Sequence, residues 1–411
     1  MSCCDQPGLI SVNDALNKLL AAVKPHADYE ELPLPQALHR YLAQPIYALV
    51  DNPAWHNSAM DGYAVRFADY QSGQPLTVVG TALAGKPYTK SVEKGQCVRI
   101  MTGAPIPTGA DTVIMQEQLC EKRSDKVIFS GEVRQGDHVR LKGEDIKQGK
   151  ILLPAKHQCS AADIGFLAAQ GISTVTVYRK LKVGLLSTGD ELKALGTTLH
   201  LGDIYDSNRY MLNALLSNMG CDVHDFGIIA DNVQLIKDTL IKANNQCDVI
   251  ITSGGVSVGE ADYIKDIISE LGELHLWKVA IKPGKPFAYG WLSNALFLGL
   301  PGNPVSALVT FCKLALPAMV KMTGGEYLPP NYLCATLTHP LKKRQGRTEY
   351  IRSHYTSNNE GELLVTPTGK QGSAIMSSLV GANCFIVLDE NQESMVAGEK
   401  VMIEVFQPPL L

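Results

Sequence analysis

The residues best suited to chemistry lie in Ser253-Gly254-Gly255-Val256-Ser257-Val258-Gly259-Glu260-Ala261-Asp262-Tyr263, directly after the apolar run Val249-Ile250-Ile251. A buried strand that leads into three glycines, two serines and two carboxylates, and then into a helix-like run from Ile264 to Leu271, has the layout of an anion-binding turn. Glycine lets the backbone approach a ligand closely, while serine hydroxyls and helix N-terminal amides donate to phosphate. A carboxylate beside a phosphate repels it unless a cation lies between them. Glu260 and Asp262 therefore suggest a hydrated Mg²⁺ that bridges acid and phosphate. Taken alone, the loop reads equally well as a solvated turn whose acids favour a helix N-terminus.

A second candidate is Lys282-Pro283-Gly284-Lys285-Pro286. Prolines on both sides of Gly284 restrict the backbone, so two lysines on one stiff turn make a localised positive site suited to an oxyanion. On its own this is an ordinary surface turn with two solvated lysines. Its place in the chain argues otherwise.

From Lys182 onward strands and helices alternate. Val183 to Ser187, Val223 to Ile229, Asp248 to Thr252, Leu276 to Ile281 and Leu296 to Leu300 read as strands, with Phe287 to Tyr289 paired to the last. Met211 to Met219, Val233 to Ala243, Tyr263 to Leu271 and a run from Val305 read as helices. Such alternation predicts a mostly parallel sheet covered on both faces, with ligands beyond the strands' carboxyl ends. Those ends carry Thr188-Gly189-Asp190-Glu191, Ala230-Asp231-Asn232, the Ser253 loop, the Lys282 turn and Pro301-Gly302-Asn303-Pro304. Glu191, Asp231 and Asp262 on three such ends, together with the lysines, fit phosphoryl transfer, in which Mg²⁺ bridges carboxylate and phosphate. No Ser-His-Asp or Cys-His pairing is apparent, which argues against covalent catalysis.

The flanking regions are of other kinds. Helical spacing runs from Val12 to Val23 behind a Ser11 cap, and a second helical run is expected over Pro35 to Ala43. Residues 51–146 read as a β-rich lobe inserted into a discontinuous helical linking domain, 1–50 and 147–180. The α/β domain spans 181–328, and 329–411 reads as a small all-β, barrel-like domain.

With 411 residues, a hydrophobic fraction of 45%, a charged fraction of 19% and a net charge of −4, the chain has the composition of a soluble multidomain protein with no basic face for nucleic acid. Its ten cysteines form no CxxC pair, as expected for reduced thiols in the cytoplasm. The N-terminus lacks a signal-peptide pattern. The apolar stretch Ser306 to Val320, interrupted by Lys313 and Pro317, is expected to be too short for a membrane.

Seven stretches carry a family resemblance: NSAMDGYAV at Asn57, RIMTGAPIP at Arg99, GED at Gly143, STGDEL at Ser187, SGGVSVGEADY at Ser253, WKVAIKPGKP at Trp277 and GLPGNPVSA at Gly299. With these, the whole chain resembles the bacterial molybdopterin molybdenumtransferases, the family that includes the gephyrin E domain and the plant molybdenum-insertion domain. The resemblance implies a four-domain subunit and a homodimer whose cleft joins the α/β domain of one chain to the β-rich lobe of the other. It implies Mg²⁺-dependent insertion of molybdate into adenylated molybdopterin, with release of AMP. It places catalytic positions at Asp61, Thr102, Asp145, Glu191, Asp231, Asp262, Lys278 and Lys282, with Glu191 and Asp262 on the metal. Substrate would meet Ser253, Gly254, Gly255, Ser257, Lys285, Pro301, Gly302, Asn303, Arg352 and Ser373, with Lys285, Arg352 and Ser373 holding molybdate. The enzyme of the preceding step, molybdopterin adenylyltransferase, is a possible partner. The rival readings are that adenylyltransferase activity itself, carried by a related α/β domain, and a scaffold that has lost catalysis.

Overall fold

Runs of β-branched and leucine residues such as Val249–Ser253 and Lys182–Thr188 are buried almost throughout, as strands covered on both faces must be. In the computed structural model, which describes residues 8–254 and 263–406, the chain divides into two compact units. One comprises Met1–Glu31, His39–Ala43 and Thr176–Leu411; the other comprises Leu32–Leu38 and Gln44–Val175.

The first unit is built on a seven-stranded sheet in the order Leu9–Ile10, Gly272–Val279, Pro286–Leu292, Leu296–Leu300, Val249–Ser253, Lys182–Thr188, Asp222–Ile229. All neighbours pair in parallel except around Pro286–Leu292, which runs against both of its neighbours. Helices Ser207–Asn218 and Val233–Gln246 connect the parallel strands. Asn232 caps the second by accepting from the Leu235 amide at 3.0 Å, and Ser11 caps Val12–Ala22 by accepting from the Asp14 amide at 3.0 Å.

The strand expected over Leu276 to Ile281 ends at Val279. Ile281–Lys282 instead leaves this sheet and pairs in parallel with Thr348–Glu349 of a second sheet. That sheet is a closed five-stranded barrel of Thr348–Ser357, Leu363–Pro367, Tyr332–Leu337, Lys400–Val405 and Cys384–Leu388, sealed by pairing of the last strand with the first. Closure leaves the barrel no open edge.

Residues Pro304–Met322 form one continuous helix with a π-helical turn over Phe311–Ala315. At 19 residues and mean hydropathy 1.5 it is, contrary to the expectation from sequence, long and apolar enough to cross a membrane. It is 83% buried within the fold, which makes it a core helix. Lys313 on the π-helical turn forms an ion pair with Glu404 of the barrel, both side chains only 7% exposed, and its ammonium lies 4.6 Å from the Tyr350 ring centre.

The second unit holds a six-stranded sheet in the order Thr112–Met115, Gly62–Val65, Gln96–Ile100, Pro75–Ala82, Lys126–Phe129, Leu119–Arg123. A helix, Ala161–Ala169, begins at a capping box made by Ser160 and Asp163. The helical run expected over Pro35 to Ala43 is absent. Only a 3₁₀ turn, Leu34–Ala37, forms, because His39 adopts a φ of 63°, outside helical backbone. Among the described residues all eight cysteines are free thiols and five are buried.

The buried pair generates a prediction. Lys313→Ala or Glu404→Ala alone strands a charge in the core and is expected to lower unfolding free energy by about 3–5 kcal/mol. The double variant Lys313→Met/Glu404→Leu is expected to recover most of that loss in denaturant unfolding followed by circular dichroism.

Candidate functional site

The parallel register brings the carboxyl ends of Lys182–Thr188, Val249–Ser253 and Leu296–Leu300 to one edge, where Ser187, Ser253 and Leu300 stand level. A cavity of about 970 Å³ opens there. It is lined by Gly189 and Glu191, Asp231, Ser253 and Gly254, Lys282 to Pro286, and Pro301 to Asn303, so five loops far apart in sequence share one wall. Gly254 has a φ of 99°, and a Cβ there would stand 3.1 Å from the Thr188 carbonyl. The close approach of the two loops needs glycine. At Gly284, also at φ 99°, a Cβ would meet the Thr310 hydroxyl at 2.6 Å, so the lysine turn lies against the core helix only because that side chain is missing.

Arg347, Gln371, Gly372 and Ser373 of the barrel region line the same cavity. The Ser373 carbonyl accepts from the Val305 amide at 3.0 Å, which ties the barrel loop to the start of the core helix. Lys282 Nζ lies 3.0 Å from both carboxylate oxygens of Glu349, a buried residue directly opposite it in the register. Two hydrogen bonds and a desolvated carboxylate fix the ammonium on the cavity wall.

Arg352 is only 1% exposed. It donates to the Ser378 hydroxyl and the Gly372 carbonyl, and burial brings its guanidinium down to about 10. It lines a neighbouring cavity of about 390 Å³ rather than the larger one, and Lys282, Pro283 and Gln371 line both.

The acidic side of the site is strained electrically. Partial burial pushes the Asp231 carboxyl above its ordinary value, and the charges of Asp190 and Glu191 add to this, against a backbone hydrogen bond from Asp190. Among the described residues no three His, Cys, Asp or Glu side chains stand close enough to cage a metal. Mg²⁺ is held in another way, by one or two carboxylates together with water and substrate phosphates. Glu191 and Asp231, like charges in a cavity that Lys282 and Lys285 also line, fit that need. Asp262, Gly255 and Ser257 lie outside the described residues.

The remaining expected positions are elsewhere. Lys278 is exposed on Gly272–Val279 and does not line the cavity. In the second unit Asp61 accepts from the Thr102 amide and hydroxyl, each at 2.8 Å, and these bonds hold its carboxyl below the usual range. Asp145 is exposed and accepts from Asn52 Nδ2 at 2.9 Å. Sequence reading missed Asn208, Glu349, Arg347 and Gln371. Asn208 Nδ2 donates to the Ser253 hydroxyl at 2.6 Å and the Gly302 carbonyl at 2.7 Å, clasping two of the loops. Its place near the start of a capped helix was the one local signal available.

Because the native carboxyl of Asp231 is raised above 3.8, its favourable protonation is complete below that pH and is lost as pH rises through the native value. Asp231→Asn removes the repulsion that remains. The variant is expected to melt about 1–2 °C above the parent at neutral pH in chelator, with the gap closing below about pH 3.8, in scanning calorimetry.

Three family models match the chain in turn. The MoeA N-terminal region (domain I and II) matches residues 10–171, a probable molybdopterin binding domain matches 184–321, and the MoeA C-terminal region (domain IV) matches 334–406. The molybdopterin molybdenumtransferase of Haemophilus influenzae is 43% identical over 399 residues, covering 97% of this chain and 99% of the relative. That of Nostoc sp. is 40% identical over 406 residues, covering 96% and 93%. The crystal structure of the molybdopterin biosynthesis moeA protein from Pyrococcus horikoshii OT3 superposes with a TM-score of 0.84 at 31% identity, covering 97% of this chain and all of that one. By its fold, its length and its sequence, this chain belongs to the MoeA family of molybdopterin molybdenumtransferases, transferases of molybdenum cofactor biosynthesis.

Proposed function

We propose that this chain inserts molybdate into adenylated molybdopterin in a Mg²⁺-dependent step that releases AMP. The observation that carries this reading is the meeting of a lysine turn, a glycine loop and two carboxylates in one cavity. Parting two phosphates calls for groups that hold the anions in place and offset the charge that builds on them. Ser253 and Gly254 cradle a phosphate beside Pro301, Gly302 and Asn303, and Lys282, steadied by Glu349, supplies a fixed positive charge. Lys285 and Ser373, which both line the cavity, act as the molybdate holders, with Arg352 acting from behind Gly372. Glu191 and Asp231 would hold Mg²⁺ with Asp262. When bound, the ion offsets charge on the phosphates being parted. Lys278 keeps a role only as a long-range positive charge at the sheet edge.

The four-domain division, the cytoplasmic location and the homodimer belong to the same reading. In it, Asp61 of the partner subunit, Thr102 of the partner subunit and Asp145 of the partner subunit complete each cleft. Support comes from the rigid clasp of Asp61 by Thr102, which presents an ionised carboxylate on an exposed loop.

The test is to incubate purified protein with adenylated molybdopterin, molybdate and Mg²⁺, and to follow AMP together with reconstitution of a molybdoenzyme. Loss of AMP release on chelation and in Lys285→Ala is expected. Production of adenylate from ATP and molybdopterin would instead assign the preceding step. For the shared cleft, inactive Asp61→Ala and Lys285→Ala proteins are mixed. Random exchange gives half heterodimers with one intact cleft each, so about a quarter of parental activity should return; none returns if each chain builds its own cleft.

A further inference from the structure

The strands Lys182–Thr188 and Asp222–Ile229 are parallel neighbours with Thr188 opposite Ile229, so the loops that follow them leave the sheet side by side. The Asp231 amide, on the second loop, donates to Asp190 Oδ1 on the first at 3.1 Å. In return the Asp190 amide donates to the Asp231 carboxyl. Side chain and backbone are exchanged in both directions, as in a capping box, but here between two strand ends.

Neither side of this clasp is loose. Lys193 Nζ donates to the Asp190 carbonyl at 2.7 Å and lies 3.4 Å from the Asp203 carboxylate. The Leu192 amide donates to the Gly189 carbonyl at 3.1 Å, and the Ile204 amide to the Glu191 carbonyl at 2.8 Å. On the other loop the Asn232 amide donates to the Ala230 carbonyl at 2.6 Å, and the Asn232 side chain caps Val233–Gln246.

Glu191 is placed by a different device. Gly189 has a φ of 142°, and a Cβ there would stand 2.6 Å from a Glu191 carboxylate oxygen. The carboxylate can fold back over its own loop only because that side chain is missing. From there its charge acts on Asp231. Glu191 and Asp231 both line the large cavity, whereas exposed Asp190 does not.

Two like charges on a cavity wall move apart unless the backbone prevents it. Here the backbone is held by the neighbour of one of them. Carboxylates already in place have less to reorganise when a divalent cation arrives, so affinity is gained without any contact from Asp190 itself.

We propose that Asp190 is a positioning residue for a divalent cation: by holding the Asp231 backbone, its Oδ1 keeps Asp231 beside Glu191 so that one hydrated ion meets both. This rests on the reading of Glu191 and Asp231 as metal holders. What matters at Asp190 is the acceptor, and its charge is secondary.

Mn²⁺ is the probe, because its free aqua ion gives an electron paramagnetic resonance signal that disappears on binding. The full chain is titrated with Mn²⁺ in the presence of AMP, whose phosphate supplies ligands that the protein does not. Asp190→Ala loses acceptor and charge together and is expected to bind Mn²⁺ about thirtyfold more weakly than the parent. Asp190→Asn keeps an Oδ1 acceptor and should bind within about threefold. Both variants should melt within about 3 °C of the parent in chelator, since the bond lost in the Ala variant is offset by relief of the repulsion.

Equal weakening in the two variants would overturn the proposal, because Asp190 would then act through its charge alone. Unchanged binding by Asp190→Ala would overturn it as well. So would weakened binding together with a melting temperature lowered by more than about 3 °C, which makes Asp190 a support of the fold. The metal reading fails on different evidence, Mn²⁺ binding by Glu191→Gln and Asp231→Asn as tight as the parent's, and takes the proposal with it.

Discussion

Two residues of strand, Ile281–Lys282, join the barrel to the cavity. Their parallel pairing with Thr348–Glu349 brings the buried Glu349 carboxylate to Lys282 Nζ, and the barrel region's Arg347, Gln371 and Ser373 line the same cavity as the sheet loops. Without that pairing Lys282 would lose its counter-charge, although the Val305–Ser373 hydrogen bond and the Lys313–Glu404 pair would still tie the barrel to the core helix. With it, both ends of an anionic ligand can be met by groups already in place, which is the condition for electrostatic work without reorganisation.

Within this frame the charged groups are placed unequally. Glu349 satisfies Lys282 from behind, whereas Asp231 is left with like-charged neighbours. Arg352 is sealed in with a hydroxyl and a carbonyl, and the side-chain amide of Gln371 clamps its backbone from both sides, accepting at 3.0 Å and donating at 3.0 Å. Its influence on the larger cavity therefore passes through Gly372 and its charge. A side chain reaching across would have to give up those partners.

What could be read from the sequence followed from locality. Apolar β-branched runs gave the parallel strands, and glycine, proline and lysine spacing gave the loops at their ends, because turn chemistry depends on neighbouring residues. Glu349 and Gln371 could not be found that way: Glu349 meets Lys282 through a strand register across 67 residues, and Gln371 bonds the Arg352 backbone from 19 residues away. Pro35 to Ala43 misled because its apolar spacing is helical while His39, at a φ of 63°, leaves helical backbone after one 3₁₀ turn. Lys278 stood in a motif that continues into the cavity, but it is exposed on its strand and does not line the cavity. The helix at Pro304 looked too short because Lys313 seemed to interrupt it. Inside the fold that lysine has its counter-charge.

That counter-charge arrives late. Glu404 is synthesised 91 residues after Lys313, so a nascent chain carries an apolar rod with a bare ammonium at its middle until the barrel's last strand emerges. Throughout that interval the rod has the makeup of a bilayer segment and no finished fold to shelter it. Order of synthesis thus exposes a long apolar stretch well before the residue that neutralises its lysine.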